Sequence, residues 1–583
     1  MRKYLRGLTL SGIFALLIVS GLILLHLLLL SKTFFVDHEG NMRTAYSGYG
    51  DIPFHMTQVS KFAFSKGINL NEPIFDGERL RYAFLVNLLS AIFLRASGNW
   101  TFATQFPVMI LMAIGIIFTF FSYRAFLRSS IAAGLAAFVF LLGSGFGGYN
   151  IVQKQWIEAG RTPAAFVEYL VSNNVSTIIK WDAKFPDQNI VWGAPMSLVF
   201  LHQRAFILGF CLFSVFWYLL LRWSKRPNKR LALTIGVIVG LSPLSHYHTF
   251  IAMLIVLLIV STIALYKKGR HKVNNLFLIA AVSILLALPQ ILYLVSGKQN
   301  LVGNQSFITF RLGWMVEPTI GSVPFAPEQG KIFGVLLPFL TFLWINFGLV
   351  LPVFALTFIL VLLTKKFRDL YSGILLISTI AITLFFLGQL IRFQPWDFDN
   401  NKIFVYFQFF AAPVIVALFI WVAKFSKLVG LIGLLIFVLA VTFTGVLDQI
   451  PRVLVKTEQI PVIFGSDSIA MAEFIKKNVS QNEKIITTST HLNPVSSLAG
   501  RPVMVGYPGW LWTRGINYSV REGNLKSYYS NPLTNTNIPI LYGANFVLVD
   551  PTAIYDWKAD TTAFDSRFKL LFRSGQYSLY AIK

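Results

Sequence analysis

The sequence predicts a polytopic α-helical membrane protein of about eleven transmembrane helices, followed by a C-terminal extracytoplasmic α/β domain. Three observations predict it. Hydrophobic residues make up 55% of the 583-residue chain and charged residues only 13%, against roughly 25% charged in soluble domains. Several apolar runs reach the roughly 20 residues that cross a bilayer. Basic clusters punctuate those runs, as short cytoplasmic loops do.

The first run, Leu8 to Leu30, is too long for a signal peptide and has no small-residue cleavage site, so it reads as an anchor. MRKYLR, Arg124/Arg128, RWSKRPNKR (Arg222 to Arg230), KKGRHK (Lys267 to Lys272), KKFR (Lys365 to Arg368) and Lys424/Lys427 are assigned to the inside. Alternation then places spans near 9–31, 104–123, 130–147, 197–221, 231–247, 249–266, 274–296, 340–363, 371–391, 403–423 and 428–447. Such a chain lies in the plasma (inner) membrane, with its N-terminus cytoplasmic and its C-terminal domain extracytoplasmic. The apolar stretch RYAFLVNLLSAIFLR, Arg81 to Arg95, is short for a span. It reads as an amphipathic helix along the outer interface.

Two domains follow: a multi-span membrane domain over 1–450, with a first external loop at 31–103, and an α/β domain over 451–583. In the tail, SIAMAEFIKKN has helical period, and KIITTS, RPVMVGY, NFVLVD and YSLYAIK read as strands. Further external loops lie near 148–196 and 297–339. Of the 25 acidic residues, none falls in an assigned span and only Asp369 falls in an inner loop. Acids do not dictate topology, so this split is an independent sign that the chemistry is external.

The net charge of +25 fits basic loops meeting anionic lipid, and nucleic acid is set aside as a partner. The single cysteine, Cys211, excludes an intramolecular disulfide and thiolate metal clusters. There is no Walker loop, zincin pattern or G-x-S-x-G elbow, and GSGFGG (Gly143 to Gly148) is weak as a nucleotide site.

The first loop carries SGYGDIPFHMTQVSKF, with Asp51 in a tight turn before Pro53 and His55 four residues on. A carboxylate there suits a general base or a divalent-metal ligand; as an N-cap it would simply start a helix. Asp37, Glu39 and Glu78 share the loop, and Glu78 is placed at the start of the interfacial helix, where the dipole favours it. His246 and His248 in PLSHYHTF stand at an outer turn, as metal or phosphate ligands or as ordinary interfacial residues. LHQRAF puts His202, Gln203 and Arg204 a short way inside the fourth span, where Arg204 suits a phosphate or a snorkelling role. In LIRFQPWDFDNNKIF, Arg392 and Lys402 suit a lipid-borne phosphate. There Asp397 and Asp399 fix those bases or meet sugar hydroxyls, and Trp396 sits at the interface. GYPGWLWTRGINYSVRE carries Tyr507, Trp510, Trp512 and Arg514, whose rings suit sugar faces, membrane or core alike.

An early acid in a large first external loop, the ERLRYAFLVNLLSAIF segment and many spans with polar outer turns resemble the GT-C superfamily of membrane glycosyltransferases. Its members include protein O-mannosyltransferases and the lipid A aminoarabinose transferase; QPWDFDNNK and GYPGWLW look like segments of uncharacterised bacterial members. The resemblance implies a GT-C-like fold and transfer of a sugar, with inversion, from a polyprenyl-phosphate carrier. The acceptor would be an envelope glycan, lipid or protein, and the membrane lipid a partner. Asp51 matches the family's early acid, and His55 the histidine that often follows; Ile52 stands where a second acid is usual, and the Pro-Pro signature of the interfacial helix is absent. By the same resemblance Arg204, Arg392 and Lys402 hold the lipid phosphate. Glu78, His202, His246, His248, Trp396, Asp397 and Asp399 face sugar or acceptor. No cofactor is named, a divalent metal remaining an open reading. The rival classes are a lipid or polysaccharide transporter or flippase, a non-enzymatic glycan-binding envelope scaffold, and a polymerase or ligase using an undecaprenyl-diphosphate glycan.

Overall fold

The computed structural model describes residues 10–158, 162–165, 168, 190–266, 270–296, 308–310, 313–315 and 332–582. Most of the expected external loops at 148–196 and 297–339, the N-terminal MRKYLR and part of KKGRHK lie outside the described residues. Seven described helices are long and apolar enough to cross a membrane: Leu10–Thr33, Trp100–Leu127, Arg204–Lys225, Tyr247–Tyr266, Lys272–Val295, Asp397–Val422 and Lys427–Leu454. Phe339–Phe347 and Val350–Leu363 make an eighth span if the 93° bend between them is counted as a break within one crossing. Ser130–Leu142, Lys229–Gly240 and Ile374–Leu390 are helical but shorter than the spans expected there.

Local chemistry accounts for the starts. Ser129, Asn228 and Ser426 each cap a helix by accepting from a backbone N–H three residues on. The expected 130–147 span instead stops at Leu142, because Gly143 turns extended and the chain restarts as Gly147–Glu158. The GSGFGG glycines serve close packing there. A Cβ on Gly145 would lie 2.0 Å from the Ile345 carbonyl, and one on Gly148 2.6 Å from Thr444 Oγ1.

The chain divides into two compact units. The helical unit takes the described residues of 1–30, 109–291 and 308–455. Its inner helix, Asn401–Val422, is buried over most of its length. Gln408 on that helix donates to the carbonyls of Val139, Phe140 and Gly143, satisfying the end of Ser130–Leu142.

The mixed unit takes the described residues of 31–108, 292–307 and 456–583, so the first loop and the tail share one unit. Phe34–Val36, Met42–Thr44 and Val462–Phe464 form an antiparallel sheet from both segments. One core joins Ile52, Phe54, Met56 and Phe75 of the loop to Met471, Val503, Leu548 and Tyr580 of the tail. The tail's four-stranded sheet runs Ile485–Ile486, Phe546–Val549, Tyr577–Ala581, Lys569–Ser574, with the first pair parallel. KLLFRS is thus a strand that the sequence reading passed over. RPVMVGY contributes only the isolated bridge of Val503 to Ile485. The interfacial segment is a helix at Leu85–Ser97, four residues later than expected at its start. Glu78 therefore does not open it; Glu78 lies before it and pairs with Arg81 at 3.5 Å.

Candidate functional site

In the mixed unit, Pro53 sits in the first turn of the Ile52–Phe64 helix and Asp51 occupies the position before it. Asp51 is half-buried, has αR backbone angles, and its side chain makes no capping hydrogen bond. The simple N-cap role is thus not the one its carboxylate performs. His55 begins the next turn, its N–H donating to the Asp51 carbonyl at 3.0 Å. Its ring is buried, and Asn87 Nδ2 donates to its Nδ1 (3.0 Å) and to Gln58 Oε1 (2.8 Å). His55 therefore ties this helix to Leu85–Ser97.

The backbone just before Asp51 is held from the tail. His491 Nε2 donates to the Tyr49 carbonyl (2.6 Å), and Trp510 Nε1 to the Gly50 carbonyl (2.8 Å). Burial lowers the His491 imidazole pKa, and that hydrogen bond partly offsets it. Behind Trp510, Arg514 Nε donates to the Trp510 carbonyl (2.9 Å), while the guanidinium pairs with Glu72 and lies 5.1 Å from the Phe54 ring. Asp37 meanwhile holds Arg43 at 2.6 Å in the sheet turn.

In the helical unit, the turn after Ile374–Leu390 begins at Ile391–Arg392, which pairs with Thr309–Phe310. Arg392 Nε donates to Thr309 Oγ1 (2.9 Å), and its Nη1 lies 3.3 Å from Asp397 Oδ1. Lys402 Nζ lies 2.8 Å from Asp399 Oδ1, and Gln394 also donates to Asp399. Of the two readings of Asp397 and Asp399, the structure places both carboxylates on the bases. Trp314 is buried beside them and donates to the Asp397 carbonyl (2.9 Å). Trp396 is 38% exposed.

Lys402, in the first turn of Asn401–Val422, is itself buried and faces a group of histidines. His202 lies in the turn before Arg204–Lys225, so His202 and Arg204 stand at the start of that helix rather than inside it. Burial, then the positive fields of Arg452 and Lys402, push the His202 imidazole down to about 3. His246 is lowered too, by burial first and then by His248 and Lys402. His246 Nδ1 meets Thr249 Oγ1 at 2.9 Å, and that hydroxyl meets Tyr406 Oη at 2.5 Å. His248 stacks on His246 at 5.3 Å. It is 2% exposed, and neither ring nitrogen has a hydrogen-bond partner among the described residues.

The sequence reading missed Arg452 and Asp448. The last membrane-length helix among the described residues runs to Leu454, past the expected end at 447, so Asp448 falls within it. Asp448 pairs with Arg452 at 3.2 Å, both buried. The i, i+4 spacing of DQIPR was the available signal. Among the described residues no three His, Cys, Asp or Glu side chains come together as metal ligands. The chemistry on offer is anion binding by buried arginine, lysine and imidazole groups in the helical unit, and carboxylate chemistry at Asp51 in the mixed unit.

No protein-family model matches the chain, and no curated protein matches it. Among solved structures it is similar to ArnT from Cupriavidus metallidurans bound to undecaprenyl phosphate, at a TM-score of 0.50 and 11% identity over 99% of each chain. It is also similar to the Archaeoglobus fulgidus oligosaccharyltransferase in its apo form, at a TM-score of 0.45 and 11% identity over 92% of this chain and 70% of that one. The ArnT likeness is one of fold, and together with the membrane-length helices and the α/β tail it gives this chain the GT-C fold.

Proposed function

We propose that the chain is a membrane glycosyltransferase that moves a sugar from a polyprenyl-phosphate carrier to an envelope acceptor on the external face of the inner membrane. The observation that carries this reading is the buried basic group of the helical unit. Lys402 and Arg452, each paired with a carboxylate, and Arg204 bring buried basic side chains, while His248 brings an imidazole with no hydrogen-bond partner among the described residues. Burying such a ring unsatisfied costs about 1–3 kcal/mol, which a phosphate oxygen accepting from it would relieve. The ArnT structure, whose fold this chain shares, holds undecaprenyl phosphate.

The chemistry follows from these groups. The acceptor hydroxyl attacks the anomeric carbon as the C–O bond to phosphate breaks. The hydroxyl proton passes to Asp51, or Asp51 orients the hydroxyl for attack. The leaving phosphate gains negative charge, which cationic side chains stabilise more strongly in the transition state than in the bound donor. His202 is neutral at ordinary pH, so it serves as a dipole and not as a cation. The lipid tail stays in hydrocarbon throughout, and displacement in one step inverts the sugar.

Binding of undecaprenyl phosphate to the purified chain in nanodiscs tests the reading. Lys402→Gln should weaken it at least tenfold, equivalent to about 1.4 kcal/mol. Equal affinity in wild type and variant would remove Lys402 from the phosphate site and the main support for this function.

A further inference from the structure

The cluster of rings beside Asp51 is not explained by hydrophobic packing alone. Tyr49 and Tyr507 are each 40% exposed, although they belong to a ring cluster. Tyr49 and His491 centroids lie 4.4 Å apart, and the His491–Tyr507, His491–Trp510 and Tyr507–Trp510 pairs are each 5.3 Å apart. Two of their polar atoms are committed: His491 Nε2 and Trp510 Nε1 are spent on the Tyr49 and Gly50 carbonyls. What the cluster chiefly presents is ring faces, with the Trp510 backbone held from behind by Arg514.

Gly509 is part of the same device. A Cβ there would lie 2.6 Å from Tyr507 Cε1, so only glycine lets the tyrosine ring fold back over its own turn. The residue that follows the two pinned carbonyls is Asp51, whose side chain is not used as a helix cap.

We infer that Tyr49, His491, Tyr507 and Trp510 form a stacking subsite for a pyranose ring next to Asp51. A sugar has an apolar C–H face and a rim of hydroxyls. Rigid, half-exposed rings suit the first, and an adjacent carboxylate suits the second. A lipid surface would want the rings but not the carboxylate, which is costly to bring into the hydrocarbon region. The inference deepens the glycosyltransferase reading and rests on it for making the bound sugar a reactant. The ring-stacked sugar comes from the donor or from a glycan acceptor, and both present the same chemistry.

The test is direct binding of the full chain in nanodiscs to an array of immobilised gluco-, galacto-, manno-, N-acetylamino- and amino-pyranosides. Wild type should retain at least one, and Tyr507→Ala should weaken it about tenfold at unchanged thermal stability. Gly509→Ala, which keeps every ring but displaces Tyr507, should also weaken it. Asp51→Asn should lose transfer, while its amide still hydrogen-bonds the hydroxyl rim, so that pyranoside binding falls less than in Tyr507→Ala. Competition by a farnesyl-phosphate-linked sugar alone would assign the subsite to the donor, and competition by the free methyl glycoside would assign it to the acceptor. If wild type holds no pyranoside, or Tyr507→Ala and Gly509→Ala bind as wild type does, the inference is overturned. It is equally overturned if Tyr507→Ala leaves the array unchanged and instead reduces quenching of tryptophan fluorescence by brominated lipid. Pyranoside binding without any transfer activity would sink the enzymatic reading and leave the subsite standing.

Discussion

Replacing Asn87 with leucine tests how the helix behind Asp51 is held. Asn87 is fully buried, and its amide donates to both His55 and Gln58 on the facing helix. Leucine keeps the volume, so little cavity forms, but both donated bonds are lost. Gln58 Nε2 already lacks a hydrogen-bond partner among the described residues, so the substitution removes the bond its side-chain oxygen accepts from Asn87. Each buried acceptor deprived of its donor costs about 1–3 kcal/mol, so the pair should cost about 3 kcal/mol together. If that cost falls on local opening, backbone amides in Ile52–Phe64 and Leu85–Ser97 should exchange roughly 100-fold faster. Amides of the strand Phe546–Val549, which carries neither partner of Asn87, should change less, and hydrogen-exchange mass spectrometry resolves all three segments. A rise of less than about threefold in both helices would show that apolar packing, not this polar tie, fixes their pairing.

Two further predictions concern the mixed unit. Burial raises the Asp550 carboxyl to about 6, against a usual value of 3.8, despite bonds from Thr488 Oγ1 and the Ala553 N–H. The folded state then holds this proton more tightly than the unfolded one, so stability falls as pH rises from about 4 to about 6, by up to about 3 kcal/mol. Asp550→Asn should flatten that slope in exchange of Pro551–Tyr555, and an unaltered slope would contradict the assignment. Gly500 has φ +66°, and a Cβ there would sit 2.7 Å from the Ser60 carbonyl. Gly500→Ala should therefore lose about 2 kcal/mol or more, whereas Gly523→Ala, with nothing within 4 Å of its Cβ, should gain about 0.5–1 kcal/mol within its helix. Thermal melts moving both variants the same way would refute the contrast.

Hydropathy made most of the membrane helices legible, because each long apolar run has one dominant solution in a bilayer. It was poorest at their ends. Polar residues one or two turns inside a helix, such as Asp448 and Arg452, lower hydropathy yet continue the helix by pairing with each other. The break before Arg204 was hidden for the opposite reason, since MSLVFL is apolar but forms a short helix and a turn. The acids of QPWDFDNNK and the histidines of PLSHYHTF were visible as motifs. That they share Lys402 was not, because the relation runs between helices remote in sequence. The merger of first loop and tail into one unit was equally out of reach, resting on pairings such as Met42 with Phe464. Trp510 and Tyr507 drew notice by composition, while His491 sits in a loop with no motif and Asn87 is a lone amide in an apolar segment.

Our central proposal is that Asp51 handles the acceptor's hydroxyl. Its most direct test is single-turnover transfer from a labelled polyprenyl-phosphate sugar pool by the chain in nanodiscs, wild type against Asp51→Asn. The asparagine keeps size and turn geometry but cannot take a proton, so transfer should fall by about 100-fold or more while undecaprenyl phosphate binding stays within twofold. Transfer by the variant at a rate near that of wild type would contradict the claim.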